Sequence, residues 1–405
     1  MPDIYFFNPT CEYAVANGNA SWQPNKLLQK MEYDLSALPL WFAQPADFVL
    51  TGKIPSTKFI DSLKKLNFSP PGFIEKNSVS TNSKLTNTSI NKLLPWGWSP
   101  AAHYFLSPFK NSCSAEFQKS PVFNWQPEYR DFYSRKFART ILKELISVFP
   151  NSSFITEEYL PEIATTKEEF ETALNKWGKI IAKAPWSSSG RGLQPVTKTP
   201  VHEKVWEKLM GIVTDQGFAI AEPFLNKEFD LAFQFQLEKG KISFLGTSYF
   251  TTDKKGQYSG NSLNGLPSGI KKDVAEFVHL IPEKIINPLI EIIESTGLAK
   301  NYEGFFGVDT LIFRDKNGEL KINPCLEINI KQTMGLLSLQ LEKLIQNNKK
   351  GIFRTYYKPS VNFLQFVKTM EEKHPLTISN HKIESGFFPL TEASETTLFG
   401  AYILV

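Results

Sequence analysis

The sequence is poor in the residues and patterns that mark secreted, membrane-spanning and zinc-binding proteins. Its three cysteines, Cys11, Cys113 and Cys325, are far apart and odd in number, which argues against a disulfide framework and a zinc site. No apolar run approaches the roughly 20 residues that a bilayer span requires, and the first residues lack the pattern of a secretory signal. We therefore expect a cytoplasmic protein with reduced thiols.

A strong excess of charge is also missing. The formal net charge is +4 over 405 residues, and the lysines are scattered rather than gathered into a stripe, so neither a nucleic-acid nor a membrane partner is expected. With 41% hydrophobic and 21% charged residues, the composition is that of a soluble globular protein. The length favours two or three cooperating units, and nothing in the sequence indicates an oligomeric state.

The first third of the chain mixes short apolar runs with helical patterns. Residues 4–7 and 48–50 predict buried strands, and the Ser-, Thr- and Asn-rich residues 76–92 predict a surface loop or a poorly formed helix. Apolar residues from 137 to 149 recur at helical spacing until Pro150 stops the pattern. The sequence therefore predicts an amino-terminal α/β unit followed by an amphipathic helix.

The middle of the chain alternates helices and strands. Thr166 followed by Glu169 predicts a capping box at the start of a helix, with a strand at 179–183 after it. We then expect strands at 218–222, 229–237 and 242–250, the last two joined as a hairpin across Lys239-Gly240, and later strands at 304–313, 319–329 and 398–405. Helices are expected over about 274–296 and 334–347.

A second predicted hairpin fixes which polar side chains share a sheet face. Residues 316–318 predict a three-residue loop with the final glycine in the left-handed conformation, closed by pairing between Asp315 and Glu319. In that register Asp309 falls opposite Cys325. A two-residue turn would instead shift the register by one residue and separate the polar side chains.

The three-residue loop places Asp309, Glu327 and Asn329 on one face of the hairpin. Two carboxylates and an amide oxygen are hard ligands that suit Mg²⁺, which prefers one or two carboxylates together with phosphate oxygens and water. The alternative is that Glu327 and Asn329 simply face solvent on an edge strand, and alternation alone does not separate the two interpretations.

Two further segments have the composition of nucleotide-binding elements. In residues 183–192 a lysine ends a strand and a loop rich in serine and glycine follows, which offers backbone N–H groups to phosphate oxygens or forms an ordinary connection. The loop lacks the residues of a Walker motif and of a dinucleotide fingerprint. Residues 221–230 form a short polar link between strands, where Glu222 and Glu228 either contact a base and its sugar or are solvated carboxylates.

Taken in order, these features resemble the ATP-grasp superfamily over roughly residues 134–344. The most specific match is Gly307-Val308-Asp309 followed by Asn323-Pro324-Cys325-Leu326-Glu327-Ile328-Asn329-Ile330-Lys331, which is similar to that family's Asp and Glu-x-Asn-x-Arg signature. The chain departs from the signature at Lys331, where the family usually has arginine; a lysine gives a point charge in place of a bidentate fork.

The resemblance implies a role for each matched residue. It implies metal ligation by Asp309, Glu327 and Asn329, and catalytic roles for Lys331 and Arg191. It implies that Lys183 contacts phosphate beneath a covering loop that contains Ser188, Ser189, Gly190 and Gly192. It further implies that Glu222, Phe224 and Leu225 meet adenine, that Glu228 meets ribose, and that Lys136, or Arg135 in its place, is a first phosphate-binding cation.

Two amino-terminal segments are candidates for contacts with other substrates. Residues 94–100, with two tryptophans, and the nearby His103 either line an acceptor pocket or form a packed turn. Residues 8–13 follow the first strand, where α/β units often place groups that contact ligands. Cys11 in that segment is expected to be inert because no paired base can be found nearby.

The expected architecture is an α/β amino-terminal domain (1–130), two α+β subdomains that clasp ATP (131–348) and a small carboxy-terminal unit (349–405). The resemblance implies ATP and a pair of Mg²⁺ ions, with Mn²⁺ as an alternative, and a carboxylate–amine ligase that forms an amide through an acyl phosphate. Its partners are then small-molecule carboxylates and amines. A kinase with the same site, and a nucleotide-binding regulator without turnover, are the alternatives.

Overall fold

The amino-terminal part of the chain forms a parallel sheet flanked by helices. The computed structural model describes residues 1–78, 88–187, 192–253 and 256–405. The strands are β1 (Ile4–Phe6), β2 (Phe48–Thr51), β3 (Gly72–Glu75) and β4 (Leu93–Pro95), in the order β3-β2-β1-β4, all parallel. The helices are α1 (Cys11–Asn17), α2 (Lys26–Asp34), α3 (Thr57–Lys64), α4 (Pro100–Leu106) and α5 (Ala115–Gln118).

The two amino-terminal strands expected from the sequence are confirmed. Ile4, Val49 and Leu50 are fully buried, as the apolar runs of a parallel sheet covered on both faces should be. The predicted loop at 76–92 lies partly outside the described residues, because positions 79–87 are not among them.

A small antiparallel sheet follows the helix α6 (Arg135–Val148), which the sequence predicted. The strands are β5 (Glu162–Ala164), β6 (Ile180–Lys183), β7 (Leu193–Val196) and β8 (Ala219–Pro223), in the order β5-β8-β6-β7, packed on α7 (Lys167–Trp177) and α8 (Glu203–Gln216). The capping box is confirmed: the Thr166 hydroxyl accepts from the Glu169 N–H, and the Glu169 carboxylate accepts from the Thr166 N–H.

A larger sheet, with eight strands among the described residues, forms the second layer of the carboxy-terminal two thirds of the chain. The strands are β9 (Asn226–Glu238), β10 (Lys241–Thr252), β11 (Tyr258–Leu263), β12 (Gly304–Arg314), β13 (Leu320–Asn329) and β14 (Gly351–Tyr357). A separate hairpin contains β15 (Thr377–Ser379) and β16 (Lys382–Ser385), and β17 (Phe387–Pro389) and β18 (Phe399–Leu404) complete the large sheet. Its order is β13-β12-β9-β10-β11-β14-β18-β17, so three strands from the last sixty residues extend this sheet.

The hairpin between β9 and β10 is confirmed with the expected turn. Lys239 and Gly240 both have positive φ, 51° and 77°, as a tight turn with two left-handed residues requires. Alternate residues of β9 (Phe229, Leu231, Phe233, Phe235 and Leu237) are buried in the main hydrophobic core with residues of α6. The opposite face of β9 carries Asp230, Ala232 and Gln234, and the candidate site lies on that face.

The helix predicted over 274–296 is two helices, so that expectation is wrong in detail. The structure has α9 (Lys272–Leu280) and α10 (Pro282–Ser295), with the break at Ile281. Pro282 lacks the N–H that a continuous helix needs, and its ring would collide with the preceding turn. The remaining helices are α11 (Leu298–Asn301), α12 (Met334–Leu341), which is shorter than expected, and α13 (Phe363–Lys373).

None of the helices in the described ranges is both long and apolar enough to cross a membrane. The three cysteines are all buried and free.

Two glycines give a matched test of packing. A Cβ on the buried Gly97 would lie 2.3 Å from Cys11 Sγ and 3.0 Å from Lys331 Cβ, whereas a Cβ on Gly211 in α8 would meet nothing within 4 Å. We expect Gly97→Ala to lower the free energy of unfolding by about 1–3 kcal/mol. Gly211→Ala should raise it by about 0.5–1 kcal/mol, because alanine favours the helix. Urea unfolding measures both, and equal shifts would contradict the close packing at Gly97.

Candidate active site

Two carboxylates face each other across the hairpin of β12 and β13. The loop has the predicted form: the Asp315 N–H donates to the Glu319 carbonyl at 3.0 Å, and Gly318 has a φ of 81°. Asp309, however, pairs with Glu327. The prediction that Asp309 lies opposite Cys325 is therefore wrong.

The difference arises at a bulge between Asp309 and Leu311. Leu311 pairs with Asn323, so three residues of β13 lie opposite one residue of β12. Pro324 has no N–H to donate to the ladder, and the Cys325 N–H donates instead to the Asn323 side chain at 3.2 Å. Because the register shifts by two residues, the side chains keep their face and the acidic pair becomes directly opposed.

The third predicted ligand belongs to the same cluster. The Asn329 side chain hydrogen-bonds to the Asp309 carboxylate. Burial and the adjacent Glu327 carboxylate together raise the pKa of Asp309 to about 7. The two opposed carboxylates repel each other, and a cation bound between them would offset that repulsion.

The donor set fits Mg²⁺. Among the described residues, no group of three or more His, Cys, Asp or Glu side chains is placed to hold a metal ion. The candidate set is two carboxylates and one amide oxygen, from Asp309, Glu327 and Asn329. Mg²⁺ binds with one or two protein carboxylates and takes its other ligands from phosphate and water, so the set is sufficient for it.

Arg135 joins this cluster to the small sheet. Its guanidinium donates to Glu327 Oε2 at 2.8 Å, and also to the Ala184 carbonyl at 3.1 Å and Ser187 Oγ at 2.9 Å. The Arg135 side chain is 5% exposed, whereas the neighbouring Lys136 is exposed. The structure therefore places Arg135 between the two sheets, and Lys136 as a phosphate-binding residue stays a prediction.

Lys331 is buried against helix α1 of the amino-terminal part of the chain. Its ammonium forms an ion pair with Glu12 of α1, and both side chains are about nine-tenths buried. Burial alone would lower the pKa of Lys331, but the Glu12 carboxylate raises it above its ordinary value. Lys331 therefore supplies a fixed positive charge beside the acidic cluster. Its backbone is hydrogen-bonded to that of Asn329, a member of the cluster.

The opposite wall of the site is the small sheet. Lys183 of β6 and Glu222 of β8 form a buried ion pair at 2.6 Å, with side chains 8% and 9% exposed. The sequence predicted both residues as nucleotide contacts but did not predict their pairing. Each side chain neutralises the charge of the other at a buried position, where an unpaired charge would destabilise the fold.

A two-residue link joins the walls. β8 ends at Pro223 and β9 begins at Asn226, so Phe224 and Leu225 are the two residues between these strands of the two sheets. The Phe224 N–H donates to the Lys179 carbonyl at 3.0 Å, and its ring is 49% exposed. An exposed aromatic ring at the junction of two layers offers an apolar surface that a planar base could cover.

The carboxylate of Glu228, the predicted ribose contact, is paired with two cationic side chains. It accepts from Arg314 Nε at 2.9 Å and from Lys271 Nζ at 2.9 Å, and Arg314 also pairs with Asp273. These pairs lower the pKa of Glu228, first through the Lys271 hydrogen bond. A ribose hydroxyl would have to share the carboxylate with this network.

The base of the predicted phosphate-covering loop is closed by Gly192. Its carbonyl accepts from the Ala184 N–H at 3.0 Å, its φ is 78°, and a Cβ there would lie 2.9 Å from Ser187 Cβ. Glycine is therefore required at this position. The predicted contacts at Ser188, Ser189, Gly190 and Arg191 lie outside the described residues.

The aromatic segment after β4 is buried between the amino-terminal parallel sheet and the large sheet. Trp96 and Trp98 are 2% and 6% exposed, and Trp98 stacks on the His103 ring at 4.4 Å. Desolvation, and then the nearby Lys110, lowers the pKa of His103 to about 3, so the ring is neutral. His103 therefore serves in packing, while the two tryptophans also line a cavity, as does the neighbouring Gly97.

No pattern in the sequence indicates the partner of Lys331. Glu12 lies more than three hundred positions away in the chain, and the sequence points to it only as part of the candidate segment 8–13. Asp230, on the same sheet face as Asp309, was also missed, and its charge contributes to the raised pKa of Asp309. The alternation of side chains along β9 could have indicated Asp230. Leu231 and its alternate neighbours are apolar and predict a core face, so Asp230 lies on the opposite face.

Comparison with family models gives no match, and comparison with curated protein sequences gives none either. Solved structures do match. The biotin carboxylase–β,γ-ATP complex from Campylobacter jejuni has a TM-score of 0.50 at 14% identity, covering 99% of this chain and 86% of that one. The N5-carboxyaminoimidazole synthetase from Staphylococcus aureus complexed with ADP has a TM-score of 0.48 at 13% identity, covering 100% and 93%.

At these identities the match with biotin carboxylase is a likeness of fold over almost the whole chain. It agrees with the expected fold class, an α/β amino-terminal part followed by α+β parts, which the structure forms as a parallel sheet and two antiparallel sheets. The chain therefore has the fold of the ATP-grasp superfamily, as its motifs predicted.

Proposed function

We propose that the protein is an ATP-dependent ligase that joins a small-molecule carboxylate to an amine and releases ADP and phosphate. The observation that carries the proposal is the direct opposition of Asp309 and Glu327, with Asn329 bound to Asp309, beside two buried cations. The cations are Arg135 and Lys331. Opposed carboxylates with flanking positive charge suit a metal-bound polyphosphate.

The proposed nucleotide position lies between the two sheets. Lys183 and Arg135 supply positive charge from the small-sheet side, and Asp309 and Glu327 would hold Mg²⁺ on the large sheet. A bound Mg²⁺ would neutralise the negative charge of the phosphates. The link at Phe224 and Leu225 supplies an apolar contact for the base.

The proposed reaction has two steps. A carboxylate oxygen attacks the γ-phosphorus in line, the bond to the bridging oxygen breaks, and ADP leaves with that electron pair. The amine nitrogen then attacks the acyl carbon, the carbon–oxygen bond to phosphate breaks, and phosphate leaves as the nitrogen loses a proton. Lys331 offsets the charge on the transferred phosphoryl group, and its ion pair with Glu12 keeps its ammonium in place.

Hydroxylamine trapping tests the proposed chemistry. With Mg-ATP, hydroxylamine and a panel of amino acids, short peptides and hydroxy acids, we expect a hydroxamate and an equal amount of ADP from at least one carboxylate. Reactions without ATP and without carboxylate are the controls. Phosphorylation of a hydroxyl with no hydroxamate would show a kinase, and ATP binding with no product from any member of the panel would contradict catalysis.

A further inference from the structure

Arg135 is a buried positive charge beside the proposed metal ligands. Its side chain is 5% exposed, and its guanidinium donates to Glu327 Oε2 at 2.8 Å. Glu327 lies directly opposite Asp309 in the hairpin of β12 and β13. The guanidinium is therefore hydrogen-bonded to one of the two carboxylates that would hold a divalent cation.

Further hydrogen bonds tie Arg135 to the segment that follows β6. Its backbone N–H donates to the Pro185 carbonyl at 3.0 Å. Its guanidinium donates to the Ala184 carbonyl at 3.1 Å and to Ser187 Oγ at 2.9 Å. Because these bonds hold both the backbone and the planar head group, the charge cannot leave Glu327 without breaking them.

The segment that holds Arg135 is itself anchored. The Gln216 side chain, at the end of α8, accepts from the Trp186 N–H at 3.0 Å and donates to the Trp186 carbonyl at 3.3 Å. The Trp186 indole N–H donates to the Arg130 carbonyl at 2.9 Å, and the Arg130 guanidinium lies 3.9 Å from the centre of the indole ring. The position of Arg135 is therefore supported by contacts from several elements.

Two charged residues that influence the pKa of Asp309 have partners of their own. Lys331 forms an ion pair with Glu12, and Asp230 accepts from Lys227 at 2.6 Å. Each of these pairs adds little net charge. When both opposed carboxylates are ionised, they and the guanidinium beside them carry two negative charges and one positive charge. A divalent cation alone would overcompensate the remaining single negative charge.

A divalent cation and the guanidinium would repel each other across Glu327. The repulsion between two cations on one carboxylate is strong in a partly buried site, where water and salt screen it little. Phosphate groups bring negative charge that offsets this repulsion, and a guanidinium interacts favourably with them. The charges of the site therefore match a metal ion that arrives with phosphates better than a metal ion alone.

We propose that Arg135 makes metal binding at this site depend on the nucleotide. Its charge weakens the binding of a divalent cation alone and strengthens the binding of the same cation together with ATP. The proposal takes Glu327 as a metal ligand, so it rests on the ATP site of the proposed function, but it does not depend on which substrate is activated. Metal and nucleotide then enter together, and the site does not retain the metal after ADP and phosphate leave.

Mn²⁺ binding by the full chain, with and without a non-hydrolysable ATP analogue, tests the proposal. Electron paramagnetic resonance measures the free Mn²⁺, and neither titration requires turnover. We expect Arg135→Met to lower the Kd of Mn²⁺ alone about tenfold and to raise the Kd of the Mn²⁺–analogue complex about tenfold, because the same charge acts with opposite sign in the two cases. Arg135→Lys keeps the charge and should leave the Kd of Mn²⁺ alone near the wild-type value.

Lys143→Met is the matched control, because Lys143 is exposed on the same helix, α6. It should change neither Kd. Thermal unfolding establishes that each variant folds, and Arg135→Gln is the replacement if Arg135→Met does not. A purely structural role of Arg135 would weaken both kinds of binding together. That result, two unchanged Kd values, or no Mn²⁺ binding by any variant would overturn the proposal.

These outcomes are separate from hydroxylamine trapping, because no carboxylate or amine is present. Opposite shifts of the two Kd values without a hydroxamate would support this role of Arg135 and contradict the ligase function. A hydroxamate together with parallel shifts would retain the ligase function and exclude this role of Arg135.

Discussion

Glu327→Gln is expected to reduce ADP release by about a thousandfold, a loss of about 4 kcal/mol of transition-state stabilisation. The amide keeps the shape of the side chain and still offers an oxygen to Arg135, which donates to Glu327 at 2.8 Å. The variant therefore removes a charge from the proposed metal site while it retains the contact that joins the two sheets. Steady-state ADP release at saturating Mg-ATP measures the effect.

Glu319→Gln is the matched control for this variant. Glu319 lies immediately before β13 of the same hairpin, its side chain is 65% exposed, and it pairs with Lys321. Its replacement should leave ADP release unchanged, because an exposed ion pair contributes little to stability or to a distant site. Wild-type activity in Glu327→Gln would exclude Glu327 as a metal ligand.

Lys183→Met is expected to have the second largest effect, and it should act on both stability and nucleotide binding. The substitution leaves the Glu222 carboxylate buried without a partner, so we expect a loss of about 3–5 kcal/mol in the free energy of unfolding. It also removes a cation from the proposed phosphate position, so the Kd for ATP should rise about tenfold or more. Urea unfolding and ATP titration measure the two effects.

The double variant Lys183→Met with Glu222→Gln separates these effects. Neutralising both partners should restore most of the stability that Lys183→Met loses, because no buried charge is then unpaired. ATP binding should remain weak, because the phosphate cation is still missing. If ATP binding recovers together with stability, Lys183 has a structural role only.

The acidic face of the hairpin was predictable because side-chain alternation is robust. The predicted register places Asp309, Glu327 and Asn329 on one face, and the bulge at Pro324 shifts that register by two residues. An even shift preserves the face, so the assignment was correct although the predicted partner of Asp309 was wrong. The capping box at Thr166 and the turn at Lys239-Gly240 were predictable for a similar reason, since each depends on residues that are close in sequence.

The long-range contacts of the site could not be predicted in this way. Arg135 and Lys136 are adjacent on α6, and only the packing of that helix decides that Arg135 enters the site while Lys136 faces solvent. The ion pair between Glu12 and Lys331 requires α1 to pack beside the end of β13, which no local pattern encodes. The break before Pro282 was readable from the sequence, but the strong apolar periodicity on both sides favoured one helix.

A crystal structure of the protein with Mn²⁺ and a non-hydrolysable ATP analogue would test the central claim most directly. We predict an anomalous Mn²⁺ peak between the Asp309 and Glu327 carboxylates, at about 2.0–2.2 Å from a ligand oxygen of each. The triphosphate should extend from this peak towards Lys183, with the base near Phe224. An analogue bound elsewhere, with Asp309 and Glu327 free of metal, would contradict the assignment of this cleft as the ATP site.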